Sequence, residues 1–96
     1  MKIILILALF GLVSCGGPST QLTPKGRNAQ VVNKKQVTSC EIVGKFIGEN
    51  EFGSEEVATN DLRNRAGNVG ADSVVVTAIV PNGKHVAVHG LAYKCQ

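Results

Sequence analysis

Aromatic residues are scarce in this chain of 96 residues, which has no tryptophan, one tyrosine and three phenylalanines. Proteins that bind single-stranded nucleic acid stack bases on such side chains, so their scarcity argues against this class of partner. A strong charge of either sign is also missing, because 10 basic and 7 acidic residues give a net charge of +3. Such a balance does not indicate a strongly anionic partner. We therefore expect no nucleic-acid partner.

Sequence signatures of enzymes are absent as well. The sequence contains no nucleophile-elbow serine, no H-E-x-x-H zinc motif and no phosphate-binding glycine loop. No pair of carboxylates stands out as a general acid and base. We expect a non-enzymatic protein without a cofactor.

No apolar run is long enough to cross a membrane. The longest one, Ile3 to Val13, has 11 residues, whereas a spanning helix needs about 20. Lys2 precedes this run, and Ser14 and Cys15 follow it. A charged start, an apolar core and a small residue before the cut are typical of a secretory signal. We predict a signal peptide over residues 1–14, with cleavage between Ser14 and Cys15.

The end of this leader, Leu12-Val13-Ser14-Cys15, resembles the lipobox of bacterial lipoproteins. The resemblance implies a diacylglyceryl group on the Cys15 thiol, cleavage before Cys15 and fatty acylation of the new amino terminus. The membrane is then a partner through the lipid. Gly16 stands where lipoproteins retained in the inner membrane commonly carry Asp, which implies the outer membrane, facing the periplasm, if the host has one. An ordinary cleaved signal with Cys15 near the cut is the alternative.

Two cysteines, Cys40 and Cys95, remain once Cys15 is lipidated. An even pair in an exported chain predicts a disulfide, because disulfides form and persist outside the cytoplasm. Free thiols or metal ligands are the alternative, but the spacing lacks the C-x-x-C arrangement of redox thiols.

The mature chain would be one small domain with a tether. Residues 15–28 form the lipidated amino terminus and a flexible tether, expected to be mostly extended because Pro18 and Pro24 oppose helix. Residues 29–96 are the globular domain, for which we predict an α+β fold of the βαββ type. One helix packs on a short mixed sheet.

Hydrophobic periodicity places the elements of this domain. The pattern predicts a short edge strand over residues 29–32 and the first core strand over residues 41–49. It also predicts a strand covered on both faces over residues 72–80. The Asn82-Gly83 turn then leads to its hairpin partner over residues 85–94. A helix over 54–68 begins at the N-cap Ser54. Its predicted buried face consists of Ala58, Leu62, Ala66 and Val69.

The cysteine positions also predict the strand order. Cys40 precedes the first core strand and Cys95 follows the last, and a disulfide needs Cα atoms within about 4.4–6.8 Å. Strands two places apart lie too far from each other for such a bond. We therefore expect the 85–94 strand between the 41–49 and 72–80 strands, unless the residues that flank the strands bend to close the gap.

Two sets of polar side chains are candidate sites. His85 and His89 lie on one face of a strand, but four residues separate them by roughly 13 Å, too far for one metal ion. We therefore predict no metal site. A possible interaction surface for a membrane or cell-wall partner lies on the helix, and a solvated helix face is the alternative. Its residues are Asn60, Asp61, Arg63, Asn64 and Arg65.

Several motifs in order resemble a family of small exported lipoproteins of the YjeI type, a domain of unknown function. They are Leu22-Thr23-Pro24-x-Gly26, Cys40-x-Ile42-x-Gly44, Asn60-Asp61-Leu62-Arg63-Asn64-x-Ala66, Gly70-Ala71-Asp72 and Tyr93-Lys94-Cys95. The chain is more distantly similar to the outer-membrane sensor lipoprotein of the Rcs envelope-stress pathway.

These resemblances imply a location and a fold more than a function. We expect a lipid-anchored, non-enzymatic envelope protein that interacts with another envelope protein or with the cell wall. An envelope-stress sensor is the alternative function. A metal-binding module is a weaker third.

Overall fold

The computed structural model describes residues 20–96, in which one long helix covers part of a four-stranded sheet. The predicted leader, the cleavage site between Ser14 and Cys15 and the lipidation site Cys15 lie outside the described residues. Between Thr20 and Gln96, no helix combines the length and the apolar character that crossing a membrane requires. The elements in chain order are α1 (Pro24–Asn28), β1 (Gln30–Val31), a 3₁₀ helix (Lys34–Val37), β2 (Glu41–Asn50), α2 (Glu55–Asn68), β3 (Ser73–Asn82) and β4 (His85–Lys94).

The strand order in the sheet is β1-β3-β4-β2. Strand β4 pairs antiparallel with both β2 and β3, so β2 and β3 run parallel to each other with β4 between them. Strand β1 adds to the outer edge of β3 in parallel. The predicted α+β class and the central position of β4 are confirmed.

A disulfide joins Cys40 and Cys95, whose Cα atoms are 4.4 Å apart. Glu41 pairs with Lys94 across the sheet, so the two cysteines flank neighbouring strands at the same end. The bond therefore fastens the start of β2 to the end of β4.

Helix α2 begins and ends as the sequence predicts. The Ser54 hydroxyl accepts the Val57 N–H at 3.2 Å, and Gly70 has a φ of +87° just after the last turn. Ala58, Leu62 and Ala66 are fully buried. The prediction that Val69 shares this face is wrong, because Val69 is the C-cap, where the chain leaves the helical path, and it is 51% exposed.

Small residues let the helix lie close to the sheet. A methyl group on Gly48 of β2 would collide with the Ala58 carbonyl oxygen and the Leu62 backbone nitrogen. The absence of a side chain at Gly48 therefore leaves room for the helix. At Gly44 it is the neighbouring Phe46 ring that fills the space.

The second half of β3 is exposed, contrary to the prediction of a strand covered on both faces. Val74 is fully buried, but Ile79 and Val80 are 46% and 45% exposed. The reason is the position of α2, which packs mainly against β2 and β4. The strand also continues through Pro81 to Asn82, so the two-residue turn is Gly83-Lys84 rather than Asn82-Gly83.

The segment before the sheet is folded, and the expectation of a mostly extended tether is wrong for Pro24–Asn28. The Thr23 hydroxyl accepts the Gly26 N–H at 2.9 Å and caps α1. Pro24 occupies the first turn, where its missing N–H costs nothing and its fixed φ favours helix. The following edge strand β1 is confirmed, although it has only two residues.

Candidate functional site

One side of α2 holds the chain's own amino-terminal segment, and we call Asn60, Arg63 and Asn64 the clamp. Asn60 and Asn64 are four residues apart, so they lie one above the other on the helix surface. All three side chains are partly buried. The clamp contacts residues between Thr20 and Ala29, which lie some forty positions earlier in the sequence.

Asn64 makes the most bonds in the clamp. Its amide Nδ2 donates to the Gln21 carbonyl oxygen at 2.8 Å. Its Oδ1 accepts the Thr23 N–H at 2.9 Å and the Thr23 hydroxyl at 3.2 Å. An asparagine amide can donate and accept at once. Asn64 therefore binds the segment that precedes α1 with both its amide nitrogen and its amide oxygen.

Asn60 and Arg63 hold the two ends of the segment. The Asn60 amide donates to the Thr20 carbonyl oxygen at 3.2 Å. The Arg63 guanidinium donates from Nε to the Ala29 carbonyl oxygen at 2.8 Å and from Nη2 to the Arg27 carbonyl oxygen at 3.3 Å. The last carbonyl groups of a helix have no N–H partner within the helix. Arg63 supplies donors to two of these groups at the end of α1.

Two glycines bring α1 into contact with α2. A methyl group on Gly67 would collide with the Lys25 backbone carbonyl, and one on Gly26 would collide with Asn64. Both glycines are buried. Gly67 weakens a helix when considered alone, but here it allows the α1 backbone at Lys25 and Gly26 to lie close to α2.

Asp61 and Arg65 complete the five residues predicted as an interaction surface. The Asp61 carboxylate accepts the Glu49 N–H at 3.0 Å and pairs with Arg65 Nε at 3.2 Å. Arg65 is the member of the five whose side chain is most open to solvent, 53% exposed. All five side chains therefore bind the chain itself, and Arg65, paired with Asp61, is the most exposed of them.

A second polar region lies beside the disulfide. The Asp72 carboxylate accepts the N–H groups of Cys95 and Gln96 at 3.0–3.1 Å and the Ser73 hydroxyl at 3.0 Å. It borders a cavity of about 760 Å³. The lining is largely polar, with the amide side chains of Asn28, Gln30, Asn68 and Gln96 and the amine of Lys25. The carboxylate fixes the last residues of the chain and therefore the position of Cys95.

The two histidines lie on the sheet face that points away from α2, since their neighbours Val86, Val88 and Gly90 are buried beneath the helix. His85 Nε2 lies 2.9 Å from Glu49 Oε1. Among residues 20–96, no group of three or more histidine, cysteine, aspartate or glutamate side chains is placed to hold a metal ion.

Sequence reasoning identified the clamp residues but not what they bind. Their spacing pointed to one side of a helix, for which the alternatives were a partner outside the chain and solvent. The only signal for an internal occupant was Thr23-Pro24, an N-cap followed by a residue suited to the first helical turn.

Comparison with known proteins shows what the fold is similar to. No family model matches the chain and no curated protein matches it, so the resemblance to the YjeI-type family stays a prediction. Solved structures do match. The N-terminal domain of STM1478 from Salmonella typhimurium has a TM-score of 0.60 at 20% identity, covering 70% of this chain and 97% of that one.

Two further Salmonella structures are similar. The secreted protein SrfN from Salmonella typhimurium has a TM-score of 0.60 at 18% identity, covering 69% of this chain and 86% of that one. The C-terminal domain of ydgH, a candidate periplasmic protein from S. enterica, has a TM-score of 0.58 at 16% identity, covering 69% of this chain and 98% of that one. At these identities, the chain shares with all three their small α+β fold.

Proposed function

We propose that the chain is a lipid-anchored, non-enzymatic protein of the cell envelope that binds another envelope component. The lipid is attached to Cys15 and the leader ends at Ser14. With Gly16 in place of Asp, the protein reaches the outer membrane and faces the periplasm in a host that has one. Its partners are the membrane, through the lipid, and an envelope protein or the cell wall.

The observation that carries this proposal is the disulfide between Cys40 and Cys95. It fastens the two strands that form the middle and one edge of the sheet. Disulfides of this structural kind persist in oxidising compartments and are rare in the cytoplasm. An exported domain is also consistent with two of the similar structures, which are named as secreted and periplasmic proteins.

The anchor is tested by replacing the one cysteine at the predicted cut. Cys15→Ser should move the protein from the membrane fraction to soluble or uncleaved forms and abolish incorporation of labelled palmitate. Two or three long acyl chains hold a protein far more firmly than one, so the change should be nearly complete. The matched control is the double variant Cys40→Ser/Cys95→Ser, which keeps the anchor. Equal fractionation of wild type and Cys15→Ser would contradict the proposal.

The choice of membrane has its own test. Gly16→Asp should shift the lipidated protein to inner-membrane fractions in a density gradient, whereas wild type should follow outer-membrane markers. The envelope partner is sought by crosslinking in cells that express the lipidated protein, with Cys15→Ser as the unanchored control.

A further inference from the structure

Two turns meet at the end of the domain where α2 begins, and we call this end the N-pole. One is the turn from Asn50 to Ser54 between β2 and α2. The other is the hairpin turn Gly83-Lys84, which lies so close that a methyl group on Gly53 would contact the Lys84 carbonyl oxygen. The N-pole is therefore a compact surface rather than two separate loops.

Phe52 is presented outward at the N-pole. It is 67% exposed, the highest value among the large apolar side chains of residues 20–96. The buried Asn50 side chain holds the turn, because its Oδ1 accepts the Phe52 N–H at 3.0 Å and the Ser54 N–H at 2.9 Å. Gly53 has a φ of +82°, a conformation that suits glycine. The exposure of Phe52 is thus a fixed feature of the fold.

The amino-terminal segment enters the fold near the same end. Thr20 is bonded by Asn60, in the second turn of α2. Asn60 is six positions after the N-cap Ser54, a rise of about 9 Å along the axis. Thr20 is therefore bound at a point somewhat nearer to the start of α2 than to its end at Asn68, which is about 12 Å away along the axis.

Chain length limits how far this end can lie from the anchor. Five residue steps join Cys15 to Thr20, and a fully extended chain reaches about 17 Å over that number. This step rests on the proposed lipid at Cys15. With the lipid in the bilayer, Thr20 stays within about 17 Å of the headgroups, which is less than the length of α2 at about 21 Å.

We propose that the N-pole rests on the membrane that holds the lipid and that Phe52 inserts into the headgroup–acyl boundary. An exposed aromatic ring on a short, rigid turn suits this boundary, where amphipathic and apolar groups lose contact with water. The turn contains the carboxylate of Glu51 and is followed by those of Glu55 and Glu56, whereas the neighbouring hairpin turn contributes the cation Lys84. The surface therefore fits zwitterionic lipid better than anionic lipid.

The absence of tryptophan from the chain makes a direct test possible. Lipidated full-length protein carrying Phe52→Trp is placed in phosphatidylcholine vesicles, with and without bromine-labelled acyl chains. We expect emission at shorter wavelength and strong quenching by the brominated lipid. The matched control is Val69→Trp, because Val69 is 51% exposed at the opposite end of α2, and its emission should not change.

A second measurement needs no substitution at the N-pole. On vesicles, the amides of Glu51 and Gly53 in the wild-type protein should exchange with solvent more slowly than in the soluble Cys15→Ser protein. Addition of phosphatidylglycerol to the vesicles should weaken both signals, because its charge repels the three glutamates. Unchanged signals would contradict the charge argument.

The outcomes separate this inference from the proposed anchor. Protein that floats with the vesicles while Phe52→Trp emits like Val69→Trp would overturn the docking of the N-pole and leave the anchor in place. Protein that does not float at all would overturn the anchor, and the inference would fail with it.

Discussion

Asn64 shows how one side chain can connect distant parts of a small domain. Its amide bonds the backbone of both Gln21 and Thr23 and the Thr23 hydroxyl, all more than forty residues away in sequence. The Thr23 hydroxyl in turn caps α1. Loss of the Asn64 amide should therefore remove its own hydrogen bonds and also release the segment that leads into α1.

We predict that Asn64→Ala lowers the free energy of unfolding by ~1–2 kcal/mol, since hydrogen bonds of this kind contribute about 1 kcal/mol each and these are partly exposed. The Thr23 amide should also exchange with solvent much faster. Denaturant unfolding and hydrogen exchange measure the two effects. Asn68→Ala, one turn later at an exposed position, is the control and should change little. Slow exchange at Thr23 in both variants would mean that other contacts hold the segment.

At the scale of single elements, the sequence was most informative where the signals are local. Helix α2 was predictable from Ser54 at its start and Gly70 after its end, because caps act within one turn. Strand β2 was predictable from its β-branched and aromatic residues. Helix α1 was missed, because five residues do not form a stable helix alone. It depends on the clamp and on close contact with Gly67.

Strand β3 shows the limit of hydrophobic patterning. Its apolar residues predict burial on both faces, but patterning does not say how far a covering helix reaches. Ile79 is left 46% exposed whereas Val74 is fully buried. The proline near the end of the strand is tolerated because β1 pairs only with Ser73 and Val74, so the outer edge is unpaired beyond them.

This difference in burial within one strand predicts that lysine destabilises the fold strongly at one position and hardly at the other. Val74→Lys should lower the free energy of unfolding by at least ~3 kcal/mol, because it places an unpaired charge in the core. Ile79→Lys should stay within ~0.5 kcal/mol of wild type. It should also reduce any self-association, since a charged side chain protects an exposed edge strand. Chemical denaturation measures the free energy of unfolding, and sedimentation measures self-association. Equal destabilisation by the two variants would show that the end of β3 is covered.

At the scale of the whole molecule, covalent chemistry predicted the topology better than any single element did. The reach of a disulfide required Cys40 and Cys95 to flank neighbouring strands, and the observed order places β4 between β3 and β2. The clamp offered no such constraint, because hydrogen bonds between Asn64 and residues 21–23 leave no mark in the spacing of the sequence. The same disulfide should also contribute much of the stability, since a domain of this size buries too little surface to be comfortably stable.

We predict that loss of the disulfide lowers the free energy of unfolding by about 4 kcal/mol, because the bond closes a loop between residues 55 positions apart and restricts the unfolded chain. The measurement compares Cys15→Ser with Cys15→Ser/Cys40→Ser/Cys95→Ser, both soluble, by denaturant unfolding. The slope of unfolding free energy against denaturant should rise in the triple variant, because a chain without the cross-link exposes more surface when it unfolds. A triple variant that unfolds at the same denaturant concentration as Cys15→Ser would show that packing alone, rather than the Cys40–Cys95 bond, holds β2 against β4.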